Sequence, residues 1–167
     1  MTRSLFALTL ALALSACQTE TPEPAPSTDA TPEASGAVAS GSVSVSDPFV
    51  TATPAGGTGG VFMTLTGGAM PDTLVDARST IAERVEVHET YDAGDGLRGM
   101  RLVESGIPVG VGETVRLAPG GYHVMLLGLA DELAVGDTLE MEAVFARAGA
   151  VQVRVPVVTL DRVREAM

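Results

Sequence analysis

The segment Val151-Gln152-Val153-Arg154-Val155-Pro156-Val157 carries valine at every second position, with a polar residue or proline between the valines. Successive side chains of a β-strand point to opposite faces of the sheet, so this pattern buries one face and leaves the other in water. The same period of two recurs in residues 43–49, 61–66, 83–88 and 139–145, and turns rich in Gly, Pro and Asp separate these segments. About seven to nine short strands of this kind predict an all-β fold, an antiparallel sandwich or barrel.

The chain divides into parts of different composition around this β-patterned region. Residues 42–158 are numerous enough for one domain with a sizeable core. Residues 18–41 are mainly Pro, Thr, Ser, Ala, Glu and Gly, so they cannot bury enough surface to offset their ordering entropy, and we expect a flexible tether. The C-terminal tail, 159–167, departs from the period of two, and its pattern from residue 160 onward indicates a short helix.

The first 17 residues resemble a bacterial lipoprotein signal peptide. Arg3 precedes an apolar run from Leu5 to Leu14, which is too short to span a bilayer comfortably. The sequence Leu14-Ser15-Ala16-Cys17 resembles a lipobox, and this resemblance makes Cys17 the lipidated first residue of the mature protein. An ordinary signal peptide with an incidental cysteine is the alternative. We therefore expect an exported protein in the periplasm, held at the membrane by its lipid anchor only.

Charge and cysteine content exclude several functions. The formal net charge of −11 disfavours binding to nucleic acid and to anionic membrane surfaces. Cys17 is the only cysteine, so the domain has no disulfide, no thiolate nucleophile and no thiolate for a blue-copper site. The chain also lacks a Gly-x-Ser-x-Gly elbow for hydrolase chemistry. We predict that it is not an enzyme.

The chain has only two histidines, and both fall in a pattern that suits a soft metal ion. His123 and Met125 lie two residues apart on one β-patterned segment, so their side chains share a face. His88 lies on the polar face of its own strand, and Met100 lies between Gly99 and Arg101 on the next segment. Imidazole nitrogen with thioether sulfur is the donor set expected for copper, above all Cu(I). The predicted metal site is therefore His88, Met100, His123 and Met125.

Each of these residues also has an ordinary structural explanation. Met125 could fill the core beside Leu126 and Leu127, and His123 could be a structural histidine. We assign the remaining methionines of the β-region to the core because of their neighbours: Met63, Met70 and Met141. Met70 lies in a predicted loop, so it could instead be a spare ligand. The joint occurrence of two histidines and two methionines on neighbouring strands favours the metal site.

Several sequence blocks between about residues 42 and 158 resemble the PCuAC copper-chaperone family. The block that carries most of the resemblance is Pro119-Gly120-Gly121-Tyr122-His123-Val124-Met125. Further similarity lies in 60–65, in 85–89 around His88, and in Met100-Arg101. Two departures occur: Glu89 stands where the family often has Met, and the segment between Met100 and His123 is about one residue longer, which suggests a loop insertion within 106–112.

The resemblance implies a cupredoxin-like Greek-key β-barrel that binds one Cu(I) ion through His88, Met100, His123 and Met125. It also implies a periplasmic chaperone that delivers copper to the cytochrome c oxidase subunit carrying the binuclear copper site, often alongside a thiol-bearing copper assembly factor. A copper-buffering or sequestering lipoprotein without an oxidase client is the alternative, because it needs the same site. A plain structural β-domain on a lipid tether is a further alternative, in which His123 has no role in metal binding.

Overall fold

The computed structural model describes residues 38–41 and 43–166, all of which belong to one compact unit. The predicted signal peptide, Cys17 and residues 18–37 of the predicted tether lie outside this range. Within the described residues, no helix has the length and apolar character needed to cross a membrane.

The predicted all-β fold is confirmed, since the described residues form eleven strands and one short helix. The strands are β1 (Val38–Ser40), β2 (Val43–Thr51), β3 (Thr58–Gly67), β4 (Asp72–Arg78), β5 (Ala82–Gly94), β6 (Leu97–Leu102), β7 (Ile107–Val109), β8 (Thr114–Leu117), β9 (Tyr122–Leu129), β10 (Thr138–Phe145) and β11 (Gly149–Val158). The helix α1 (Leu160–Ala166) falls in the tail, as its pattern predicts.

The strands pair along one path, in the order β6-β5-β9-β8-β3-β2-β11-β10-β4-β7, with an additional pairing of β9 to β3 and β1 added to β2. Most neighbours are antiparallel, and only the β11–β2 and β8–β9 pairs are parallel. Strands from both halves of the path supply side chains to one buried cluster, so the sheet folds over a single core. The edge strand β6 lies at one end of the path, next to β5 and β9.

The core contains the residues that the period of two assigns to it. Every valine of the β11 alternation is buried, while Gln152 and Arg154 between them are exposed. Met63 and Met141 are also fully buried, as predicted. Fully burying side chains of this size contributes roughly 1.5–3 kcal/mol each, so this face supplies most of the driving force for folding.

Met70 differs from its predicted place in the core, because its side chain is 49% exposed. It lies between β3 and β4, where the chain leaves the sheet and strand alternation no longer assigns residues to a buried face.

Two short strands occur where the sequence suggests irregular chain. β1 lies at the end of the predicted tether and pairs with β2, so the sheet begins before the predicted boundary at residue 42. β7 lies inside the expected loop insertion, 106–112, and pairs with β4. Both segments have only three residues, which is too few for an alternating pattern to be recognised.

Candidate metal centre

The pairing of β5 with β9 brings the two histidines together. His88 lies directly opposite His123, and their ring centroids are 6.0 Å apart. Their neighbours Val87 and Val124 point to the other face, where both are buried in the core. The histidines therefore share the outer face of the sheet, as the sequence pattern predicts.

The same face receives both predicted methionines. Met125 lies opposite Glu86, and Met100 on β6 lies opposite Thr90. Each methionine is thus a diagonal neighbour of His88, at a cross-strand separation of about 7–8 Å, within reach of long side chains. We call this patch of β6, β5 and β9 the His/Met site: His88, Met100, His123 and Met125.

Exposure changes steeply across the His/Met site. His123 is 6% exposed, and the His88 side chain is 15% exposed. Met100 is 60% exposed, because β6 is an edge strand whose residues contribute nothing to the core cluster. Met125 is intermediate, so it is not the buried core filler that its leucine neighbours could suggest. His123 is thus buried, His88 is half-buried, and the Met100 thioether faces solvent.

The turn before β9 fixes the ring of His123. Its Nδ1 lies 3.1 Å from the carbonyl oxygen of Gly121, which also accepts a hydrogen bond from the backbone N–H of Thr90 at 3.0 Å. Gly120 makes this turn possible, because its φ of +82° is a conformation that residues with a Cβ rarely adopt. A carbonyl can only accept, so Nδ1 carries the proton and Nε2 keeps a free lone pair.

Burial lowers the pKa of His123 below its usual 6.5. Desolvation is the main cause, the hydrogen bond to Gly121 opposes it, and the positive charge of a protonated His88 adds to it. A neutral imidazole is the form that binds metal, so this histidine is available for coordination to a lower pH than a free imidazole.

One ring nitrogen of His88 has a hydrogen-bond partner, and the other has none among the described residues. Its Nε2 lies 2.8 Å from Oε2 of Glu86, two residues earlier on the same strand. Its Nδ1 is buried and has no hydrogen-bond partner among the described residues. A buried polar atom without a partner costs roughly 1–3 kcal/mol, and a metal ion at the site is one way to satisfy it.

An aromatic row borders the imidazoles on the side away from β6. The ring of Phe62 lies 6.3 Å from the ring of His123 and 5.2 Å from that of Phe49. Phe62 also covers Gly60, where a Cβ would lie 3.1 Å from the ring. This apolar side keeps water from His123 and accounts for part of its burial.

The donors present fit a soft monovalent ion. No cluster of three or more His, Cys, Asp or Glu suited to a metal ion occurs in the described part of the chain. The predicted donors are two imidazoles and two thioethers, and thioethers favour Cu(I) over harder ions. Glu89 lies opposite Arg101, forms an ion pair with it, and faces away from the His/Met site. A methionine at position 89 would not add a donor to this face, so that departure from the family pattern leaves the site intact.

Sequence reasoning missed two residues beside the site. Glu86 stands two positions before His88, and Phe62 alternates with the buried Val61 and Met63. The period of two assigns both side chains to the outer face, and this assignment was the only sequence signal that could have pointed to them. Their contacts with the histidines depend on strand register, which the pattern does not supply.

Sequence comparisons place the β-domain in a known family. A family model described as "Putative lipoprotein LpqE-like" matches residues 43–157. A curated putative lipoprotein of Leifsonia xyli subsp. xyli (strain CTCB07) is 36% identical over 84 residues, which are 50% of this chain and 50% of that protein. The chain therefore spans about half the length of the curated relative it matches.

Solved structures of PCuAC domains share the fold. The copper-bound PCuAC domain from PmoF2 has a TM-score of 0.60 and 25% identity, over 74% of this chain and 98% of that one. The solution structure of CuI-DR1885 from Deinococcus radiodurans has a TM-score of 0.54 and 28% identity, over 67% of this chain and 75% of that one. The apo PCuAC domain from PmoF1, at 24% identity and a TM-score of 0.62 over 74% of this chain and 99% of that one, supports the fold alone. The predicted cupredoxin-like fold is confirmed.

Proposed function

Because the chain belongs to the family of LpqE-like putative lipoproteins, we propose that it is a lipid-anchored periplasmic copper chaperone. In this proposal it binds one Cu(I) ion at the His/Met site as cargo and passes the ion to a client. The observation that carries the proposal is the placement of a buried and a half-buried imidazole with two thioethers on one sheet face. The copper-bound PmoF2 domain and CuI-DR1885 support it, since both share this fold.

The chemistry of the four donors allows the site both to bind Cu(I) and to release it. All four donors are neutral, so the site balances no more than a small positive charge and favours Cu(I). The β5–β9 pair fixes the imidazoles in place before the ion arrives, which lowers the ordering cost of binding. Met100 lies on an exposed edge strand, so an incoming ligand can replace its sulfur first.

The client in this proposal is the binuclear copper site of cytochrome c oxidase, which the PCuAC resemblance implies. A thiol-bearing copper assembly factor would act beside the chaperone. A copper-buffering lipoprotein is the second candidate, because the same site would serve it. The two differ only in whether copper moves to the oxidase subunit.

A Cu(I) titration under reducing conditions tests the binding step. The titration uses unlipidated protein carrying Cys17→Ser, since the free thiol of an unlipidated Cys17 would itself bind Cu(I). We expect one bound ion, and a loss of affinity of at least about tenfold in Met125→Leu, since losing a ligand should cost no less than losing an outer contact. Met70→Leu is the matched control, because Met70 is an exposed methionine outside the site. Equal affinities in all three proteins would contradict the proposed site.

A transfer assay separates delivery from buffering. Cu(I)-loaded protein is mixed with a copper-free fragment of the oxidase subunit, the two are separated, and copper is measured on each. Delivery predicts that copper moves to the fragment faster than free Cu(I) is released to a chelator of matched affinity. Retention of copper by the lipoprotein would favour buffering.

A further inference from the structure

We infer that Glu86 orients the imidazole of His88 so that His88 binds copper through Nδ1, whereas His123 binds it through Nε2. The inference rests on the proposed function and names the nitrogen that each imidazole uses. In this assignment Glu86 is a positioning residue that contacts a ligand and does not bind the ion itself.

The assignment for His88 follows from its two ring nitrogens. Oε2 of Glu86 lies 2.8 Å from Nε2, and a carboxylate accepts hydrogen bonds, so this contact places the ring proton on Nε2. Nδ1 then carries the lone pair. It is also the atom that is buried without a hydrogen-bond partner among the described residues. A lone pair that is both buried and unpaired is the one left for a metal ion.

His123 has the opposite arrangement. The carbonyl oxygen of Gly121 lies 3.1 Å from Nδ1 and holds the ring proton there. The lone pair of Nε2 is therefore available on the outer face. A backbone carbonyl fixes one imidazole and a carboxylate fixes the other, as the outer contacts of metal-binding histidines commonly do.

Glu86 is itself held in place. The guanidinium of Arg84 lies 3.3 Å from Oε1, the oxygen that does not contact His88. The two oxygens of Glu86 thus have separate partners on the same strand. This orientation keeps the carboxylate beside His88, although Met125 lies opposite it on β9.

The test measures ring tautomers and copper together. Long-range proton–nitrogen NMR spectra of ¹⁵N-labelled protein in the Cys17→Ser background show which nitrogen of each histidine is protonated. Spectra are recorded before and after Cu(I) is added, for the parent protein and for Glu86→Ala and Glu86→Gln. Glu89→Gln is the matched control, since Glu89 lies on the same strand and faces away from the site.

We expect the parent protein to hold its ring proton on Nε2 in His88 and on Nδ1 in His123. Cu(I) should then shift the resonances of His88 Nδ1 and His123 Nε2. Glu86→Ala should give mixed tautomers at His88 only and weaken Cu(I) binding about tenfold, the lower end for losing an outer contact of a metal-bound histidine. Glu86→Gln should largely restore the single tautomer of His88 and the Cu(I) affinity, because its amide oxygen still accepts the hydrogen bond from Nε2.

Each contrary result is distinct. Cu(I) bound through Nε2 of His88, or an unchanged tautomer in Glu86→Ala, overturns the inference and leaves the proposed function standing. An affinity in Glu86→Gln as low as in Glu86→Ala, with the tautomer restored, indicates a carboxylate ligand and also overturns it. If the parent protein takes up no Cu(I), the proposed function is wrong and the assignment of ligand nitrogens fails with it.

Discussion

Met125 and Met100 belong to the same proposed site but lie on strands with very different surroundings. Met125 is on β9, which has paired neighbours on both sides and backs onto the core through Val124 and Leu126. Met100 is on β6, an edge strand that pairs only with β5 and leaves the methionine 60% exposed. In the proposed site, donors on the inner strand would be preorganised, whereas the donor on the edge strand could leave and return. The contrast suggests that one region holds copper and the other releases it.

Among changes to the donors on the inner strands β5 and β9, His123→Ala should weaken copper binding most. It removes a buried donor whose proton and ring plane Gly121 fixes, so we expect Cu(I) affinity to fall by more than the roughly 10–100-fold typical of losing an outer contact. A competition titration against a Cu(I) chelator measures the loss. Thermal unfolding of the apoprotein is the control, since the variant must remain folded. Parent-like affinity in folded His123→Ala would favour the plain structural β-domain.

Comparing Met125→Leu with Met100→Leu tests the division directly. Both replacements keep volume and apolar character while removing sulfur. We expect Met125→Leu to weaken equilibrium binding at least about tenfold, since losing a ligand should cost no less than losing an outer contact. Met100→Leu should weaken binding less and speed copper transfer, because the position at which an incoming ligand enters is then already open. Stopped-flow transfer to a chelator and equilibrium competition give the two quantities. Equal effects of both variants on both quantities would show that exposure does not divide their roles.

The stability of the apoprotein should depend on pH through His123. Burial keeps its pKa below 6.5 in the folded state, and the unfolded chain has the ordinary value. Between these two values the unfolded state binds more protons, so the free energy of unfolding falls as pH drops below 6.5 and through the folded-state pKa. Above that range His123 contributes no pH dependence.

Urea unfolding at a series of pH values measures this effect. His123→Gln is the control, since it keeps a polar side chain but cannot titrate there, and its free energy of unfolding should fall less in this window. The same slope in both proteins would contradict the explanation.

The smallest effect is expected where β6 contacts the turn before β9. Arg98 Nη2 donates to the carbonyl oxygen of Gly120 at 2.9 Å, and the contact is exposed. Such a surface hydrogen bond contributes about 0.5–1.5 kcal/mol at most. We expect Arg98→Gln to lower Cu(I) affinity by less than tenfold and to leave His123 fixed by Gly121. A loss as large as that of Met125→Leu would show that β6 also helps to hold the ion.

Much of the site could be predicted because it depends on local rules. Alternation in 83–88 and 122–126 assigns each side chain to a face, so His88, His123 and Met125 could be placed on the outer face from sequence. Met70 was placed wrongly because it lies in a loop, where alternation has no meaning. Glu86 and Phe62 were missed because their importance comes from distances to the imidazoles, and a sequence pattern contains no distances.

The sequence by itself determined the β class, the buried and outer faces, and a set of donors without a thiolate in the domain. These follow from side-chain period and residue chemistry, which act over a few neighbouring positions. Only the tertiary structure decided that His88 lies opposite His123, that Nδ1 of His88 has no partner, and that Met100 is exposed on an edge. Strand register and edge position depend on how segments distant in sequence pack over one core, so no short stretch of the chain contains them.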